Sequence, residues 1–133
     1  MQLEKISKTI ASALAYLEDS ADVYAKGNET KVMQLTWKAA SDLEYGLFIF
    51  SLIHQDEARS PAWKLPHIKK LEVEALIAST TALLKGAAKS LKADEFKEAY
   101  KKTWLARGQL LRIHDFFEKK QGKTREEGNT LSR

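Results

Sequence analysis

The chain has no cysteine. That single absence removes disulfides, thiolate zinc sites, iron–sulfur clusters and a cysteine nucleophile. Proline is nearly absent as well. Pro61 and Pro66 are the only two, both within "ARSPAWKLPH", so long helices can run undisturbed on either side of that stretch. Long apolar runs are missing. The longest uncharged one, residues 45–53, falls far short of the roughly 20 residues that a membrane-crossing helix needs. The opening "MQLEKISKTI" mixes charges into helical spacing, which does not match a secretory leader. A cytoplasmic protein is the expectation, with no membrane partner.

What remains is a chain of 133 residues, 44% hydrophobic and 30% charged. This is enough for one domain with a real core. The net charge of +4 is unevenly spread. Residues 1–60 carry about −3 and residues 61–133 about +7. A basic half suits nucleic acid or an acidic partner, and equally a lysine-rich helical surface facing water.

Apolar residues recur every three or four positions. Leu3, Ile6, Ile10, Leu14, Leu17, Ala21 and Tyr24 line a first helix. Gly27 stops it, and Asn28 is the N-cap candidate for the next. A second helix runs through Val32, Leu35, Ala39, Leu43, Leu47, Phe50 and Ile53 until the proline segment breaks it. A third carries Ile68, Leu71, Leu76, Thr80, Leu83, Ala87 and Leu91. Asp94 in "KADEF" is the expected cap of a fourth, which carries Phe96, Ala99, Tyr100, Thr103, Leu110, Ile113 and Phe117. The expected fold is all-α: an antiparallel four-helix bundle over residues 1–122. Its hairpins cover 3–56 and 67–120, and residues 123–133 are expected to form a flexible tail.

The two hairpins resemble each other. "TWKAA" at Thr36 returns as "TWLAR" at Thr103, 67 residues later. At that offset Ile10-Ala11-Ser12 falls on Ile77-Ala78-Ser79, and Leu43 and Phe50 fall on Leu110 and Phe117. About 11 identities occur in roughly 45 pairs, where about 3 or 4 are expected by chance. Gly27-Asn28 lies over Asp94-Glu95, so the turns coincide too. A lone hairpin leaves apolar faces uncovered, and a second copy covers them.

Chemistry is harder to find. Bundles that hold two metal ions use Glu-x-x-His pairs, and none occurs here. His54 and Glu57 have the reverse order, next to Pro61, and read as a surface pair. No metal and no cofactor are expected. Arg107 and His114 lie seven residues apart, two turns of one helix, and so share a side.

Arg107-x6-His114 is similar to the Arg-x(4–6)-His pattern of HEPN domains. The first hairpin, "YLEDSADVYAKGNETKVMQLTWKAASDLEYGLFIF", resembles the opening hairpin of those small α-bundles. The resemblance implies RNA binding or cleavage. Arg107 would steady phosphate charge and His114 would move a proton. Gly108 departs from the polar residue that active members carry after the arginine.

Two other groups are candidates for binding. Lys85, Lys89 and Lys92 form one stripe, and Lys97, Lys101 and Lys102 begin the next helix across a turn, near Phe96 and Tyr100. They read first as a solvated face, second as a nucleic-acid patch and third as a protein interface. Trp37 and Trp104 occupy equivalent places in the two hairpins, as central packing residues or a pseudo-symmetric dimer face, while Trp63 sits between the prolines as a lid or a partner anchor. The leading functional expectation is a non-enzymatic interaction module in a homo- or hetero-oligomer, with a HEPN-like RNA-binding or RNA-cleaving domain as the alternative.

Overall fold

A computed structural model of the protein describes residues 2–53 and 72–131, apart from the side chains of 121–131. His54, Glu57, Trp63 and both prolines lie outside the described residues. The described residues form four helices and no strand: α1 (Gln2–Ala25), α2 (Glu29–Ile53), α3 (Val73–Lys92) and α4 (Phe96–Leu131). The expectation of an all-α four-helix bundle holds.

Each helix buries the stripe that its spacing dictates. On α1, Ile6, Ile10, Ala13, Leu17 and Ser20 are buried at intervals of four and three. The 67-residue offset reproduces this stripe on α3, where Val73, Ile77, Thr80, Leu84 and Ala87 are buried. On α2 and α4 the matched buried pairs include Val32/Ala99, Thr36/Thr103, Ala39/Ala106, Leu43/Leu110 and Phe50/Phe117. Burying each large side chain stabilises the fold by roughly 1.5–3 kcal/mol. The core threonines turn their hydroxyls back onto their own helices. Thr36 Oγ1 donates to the Val32 carbonyl at 2.9 Å, and Thr103 Oγ1 to the equivalent Ala99 carbonyl at 2.7 Å.

The two turns share their closing bonds. After α1 the Gly27 amide donates to Tyr24 O and the Asn28 amide to Val23 O, both at 3.0 Å. After α3 the Asp94 amide donates to Leu91 O at 3.2 Å and the Glu95 amide to Ser90 O at 2.9 Å. This is the Schellman ending, which needs a left-handed residue. Gly27 supplies it with φ 78° and Asp94 with φ 60°. Asn28 caps α2 as expected, its Oδ1 accepting the Lys31 amide at 3.1 Å. Asp94 does not cap α4. It takes the left-handed place of Gly27, which Asp tolerates better than most residues.

Neighbour relations fix the arrangement. α1 lies beside α2 and α3, and α4 lies beside the same two. Phe50 meets Tyr100 edge-on at 5.5 Å, and at the other end Lys120 Nζ is 2.6 Å from Glu29 Oε1. α2 and α4 are therefore antiparallel. Val73 and Glu74 line one recess with Tyr24, Glu29 and Lys120, so α3 begins at the end where α2 begins. Adjacent helices are all antiparallel, whereas α2 and α3 run parallel across the diagonal. Residues 54–71 thus join opposite ends of a bundle about 37 Å long. At the far end, α4 remains helical to Leu131, through the segment expected to be a tail. Its lysines, arginine and glutamates are good helix formers, and Gly122 and Gly128 each lower helix stability by only about 1 kcal/mol.

Candidate interaction surface

α2 is apolar on more than its core side. Trp37, Tyr45, Phe48 and Leu52 are 52%, 51%, 59% and 51% exposed. Tyr45, Phe48 and Leu52 follow an i, i+3, i+7 spacing, and Trp37 lies two turns before Tyr45, so the four share the outward face. The face is fixed from behind. Gly46 lets α1 approach so closely that a Cβ there would sit 2.7 Å from Thr9 Oγ1. Ser12 Oγ donates to Asp42 Oδ2 at 2.6 Å across the same interface. With Leu43, Leu47 and Phe50 turned into the core, positions 45, 48 and 52 point away from the other described helices.

The repeat supplies a built-in control. The residues equivalent to Tyr45, Phe48 and Leu52 are Arg112, Asp115 and Lys119 on α4. Those α4 side chains are polar, as a solvated outer face ordinarily is. The scaffold therefore accepts charged residues at these places, and the apolar set on α2 is not needed to build the hairpin. Sequence reasoning missed this stripe, although the 67-residue alignment contains the signal as three apolar-to-charged mismatches.

The tryptophans are not equivalent in burial. Trp37 is exposed and Trp104 half-buried, so neither is a central packing residue. Trp37 stacks on His114, with ring centroids 4.9 Å apart and planes tilted by 40°. His114 is 16% exposed. Its Nδ1 is buried without a hydrogen bond, 3.5 Å from Glu118 Oε2 and 3.8 Å from Asp115 Oδ1. Arg107 Nη1 donates to Glu44 on α2, while its Nε is buried without a partner. Arg107 and His114 do share one flank of α4, about 10 Å apart along the axis. Leu111 lies between them. His114, Asp115 and Glu118 also bring ligand atoms within 4.8 Å of one another, through a His-x3-Glu spacing that a search for Glu-x-x-His overlooks.

The structure divides the lysine group. Gly86 and Ser90 face α4, where Lys102 Nζ donates to Ser90 Oγ at 3.0 Å. Lys85, Lys89 and Lys92 are exposed on another side of α3. Lys97 and Lys101 lie on the outer face of α4, in line with Asp115 and Lys119 eighteen residues later, Lys97 exposed and Lys101 half-buried. Phe96 and Tyr100 pack against the core instead of standing free as stacking platforms. Comparison with protein-family models, with curated proteins and with solved structures finds no match.

Proposed function

We propose that the protein is a non-enzymatic interaction module that docks another protein on the outer face of α2. One observation carries this reading: Tyr45, Phe48 and Leu52 are exposed at positions where the second hairpin carries Arg112, Asp115 and Lys119. Large apolar side chains gathered on one exposed helix face mark a binding surface. Covering the exposed halves of these three is worth about 3 kcal/mol. A photo-crosslinking amino acid placed at position 48, and separately at position 115, tests the reading in cells that make the protein. A specific adduct is expected from 48 and not from 115. Equal labelling at both sites, or none at 48, sinks it.

The HEPN-like reading stands second. It draws support from Arg107 and His114 on one flank of α4, each with a buried nitrogen that no group satisfies. A phosphate reaching Arg107 would compete with Glu44, and one face of His114 is covered by Trp37. RNA cleavage that disappears in His114→Ala would bring this reading forward. Intact RNA after prolonged incubation with the parent protein would retire the nuclease part of it.

A further inference from the structure

The aromatic stripe of α2 has a basic surround. Ser12 faces Asp42 and Thr9 faces Gly46, so Lys5, one turn before Thr9, is level with residues 49–50 of α2. Lys8 stands one turn from Lys5 toward the outer side of α1. On the other flank, Arg107 faces Glu44 and Tyr100 faces Phe50. Lys101 is therefore level with residue 49 and Lys97 with residue 53. None of these four lysines pairs with a carboxylate among the described residues. Among the described residues, the acid beside Tyr45, Glu44, is held by Arg107, and Asp115 and Glu118 stand at the Trp37 end, beside His114. Helical spacing turns Glu4 and Glu98 away from α2.

We infer that the partner docked on α2 is an acidic amphipathic helix of another protein, its apolar ridge on Tyr45, Phe48 and Leu52 and its carboxylates between Lys5 and Lys8 on one side and Lys97 and Lys101 on the other. The inference rests on the docking reading above and adds the chemistry of the occupant. Residues 45–52 span about 10 Å, so the basic contact covers about two turns of the partner, and Trp37 lies beyond it, beside Asp115 and Glu118. A second copy of this chain is a poor occupant, because it sets lysines against lysines. An RNA strand would use the charge and the rings of Tyr45 and Phe48 but gain little from Leu52, and the test separates it from a peptide. An anionic lipid surface would use the charge as well. However, the apolar residues form a strip one helix wide, at the spacing of a helix ridge rather than over a broad face.

The test uses the full chain and a 15-residue synthetic peptide. The peptide has leucines at i, i+4, i+7 and i+11 and glutamates flanking them. Its counterpart has lysines for the glutamates. A 20-nucleotide oligouridine and phosphatidylserine-containing vesicles complete the set. Fluorescence anisotropy or vesicle sedimentation reads affinity, and amide chemical shifts read the site. The acidic peptide is expected to bind at least about 10-fold more tightly than its lysine counterpart, with shifts centred on Tyr45, Phe48 and Leu52 and affinity falling as salt rises. Lys5→Glu/Lys97→Glu/Lys101→Glu should weaken it about 10-fold or more. Tyr45→Arg/Phe48→Asp/Leu52→Lys, which copies the α4 residues, should abolish it. If that variant does not fold by circular dichroism, Phe48→Asp alone takes its place. Failure of the acidic peptide to bind, equal binding of the lysine peptide, or tighter binding of RNA or vesicles through the same residues overturns the inference. An adduct at position 48 together with any of these failures leaves docking standing and removes only the acidic partner. No adduct at 48 removes docking itself.

Discussion

The outer face of α2 and the outer face of α4 are the same place in two copies of one hairpin. The central core positions of the copies agree, although buried Ile49 and Ala40 fall on exposed Phe116 and on Arg107. Phe50 matches Phe117, Leu43 matches Leu110, and Thr36 and Thr103 bond back to equivalent carbonyls. Their outer faces disagree: Tyr45, Phe48 and Leu52 against Arg112, Asp115 and Lys119. Packing constrains the inner set, because each copy must fill the other's uncovered side. The outer set fills no part of the core among the described residues, so it is freer to vary.

The comparison breaks most easily at the core. Phe50→Ala and Phe117→Ala should each destabilise by about 3–5 kcal/mol, and by similar amounts, since both rings are fully buried. Urea unfolding checks this. A large loss for one and a small loss for the other would end the equivalence of the hairpins.

Asp42 and Gln109 are equivalent positions, each accepting a hydroxyl from the preceding helix. Thr80 Oγ1 shares its one proton between Leu76 O at 2.7 Å and Gln109 Oε1 at 2.8 Å, and Thr80→Val leaves the buried Gln109 without this partner, which should cost about 1–3 kcal/mol. Ser12→Ala should cost less, about 0.5–1.5 kcal/mol, because its bond to Asp42 is only part-buried. The same unfolding curves rank the two, and the reverse order would show that burial does not separate them.

Gly27→Ala forces a Cβ into the left-handed region and should destabilise by about 1–2 kcal/mol. Asp94→Gly relieves the same strain and should stabilise by up to about 1 kcal/mol. Melting temperatures should move in opposite directions; a shared direction would mean that the turns are not built alike.

The smallest stability effect belongs to the outer face. Tyr45→Arg, Phe48→Asp and Leu52→Lys should each change stability by no more than about 0.5 kcal/mol, as surface substitutions do. Thermal melts check it. A loss of several kcal/mol would show that the stripe serves the fold, and the contrast with α4 would lose its functional meaning.

The sequence by itself determined what is local or repeated. Four helices, the stop at Gly27, the cap at Asn28 and the 67-residue doubling all follow from spacing and turn chemistry. The chosen core positions of α2, from Val32 to Phe50, are buried. At helix ends the spacing misled: Leu3 and Ala21 fit the stripe of α1 but are exposed, because α3 and α4 do not cover them. Asp94 was ambiguous for a chemical reason. Asp favours both N-caps and left-handed turns, and only the backbone decides which. Tertiary structure alone fixed the ring order, the diagonal relation of α2 to α3, and the separation of Lys85, Lys89 and Lys92 from Lys97 and Lys101. It also decided which apolar residues of α2 stay in water. Periodicity records how apolar residues are arranged around a helix's own axis. It carries no record of which neighbours will arrive, so a helix apolar on several sides leaves its exposed side to be chosen by the helices that pack against the others.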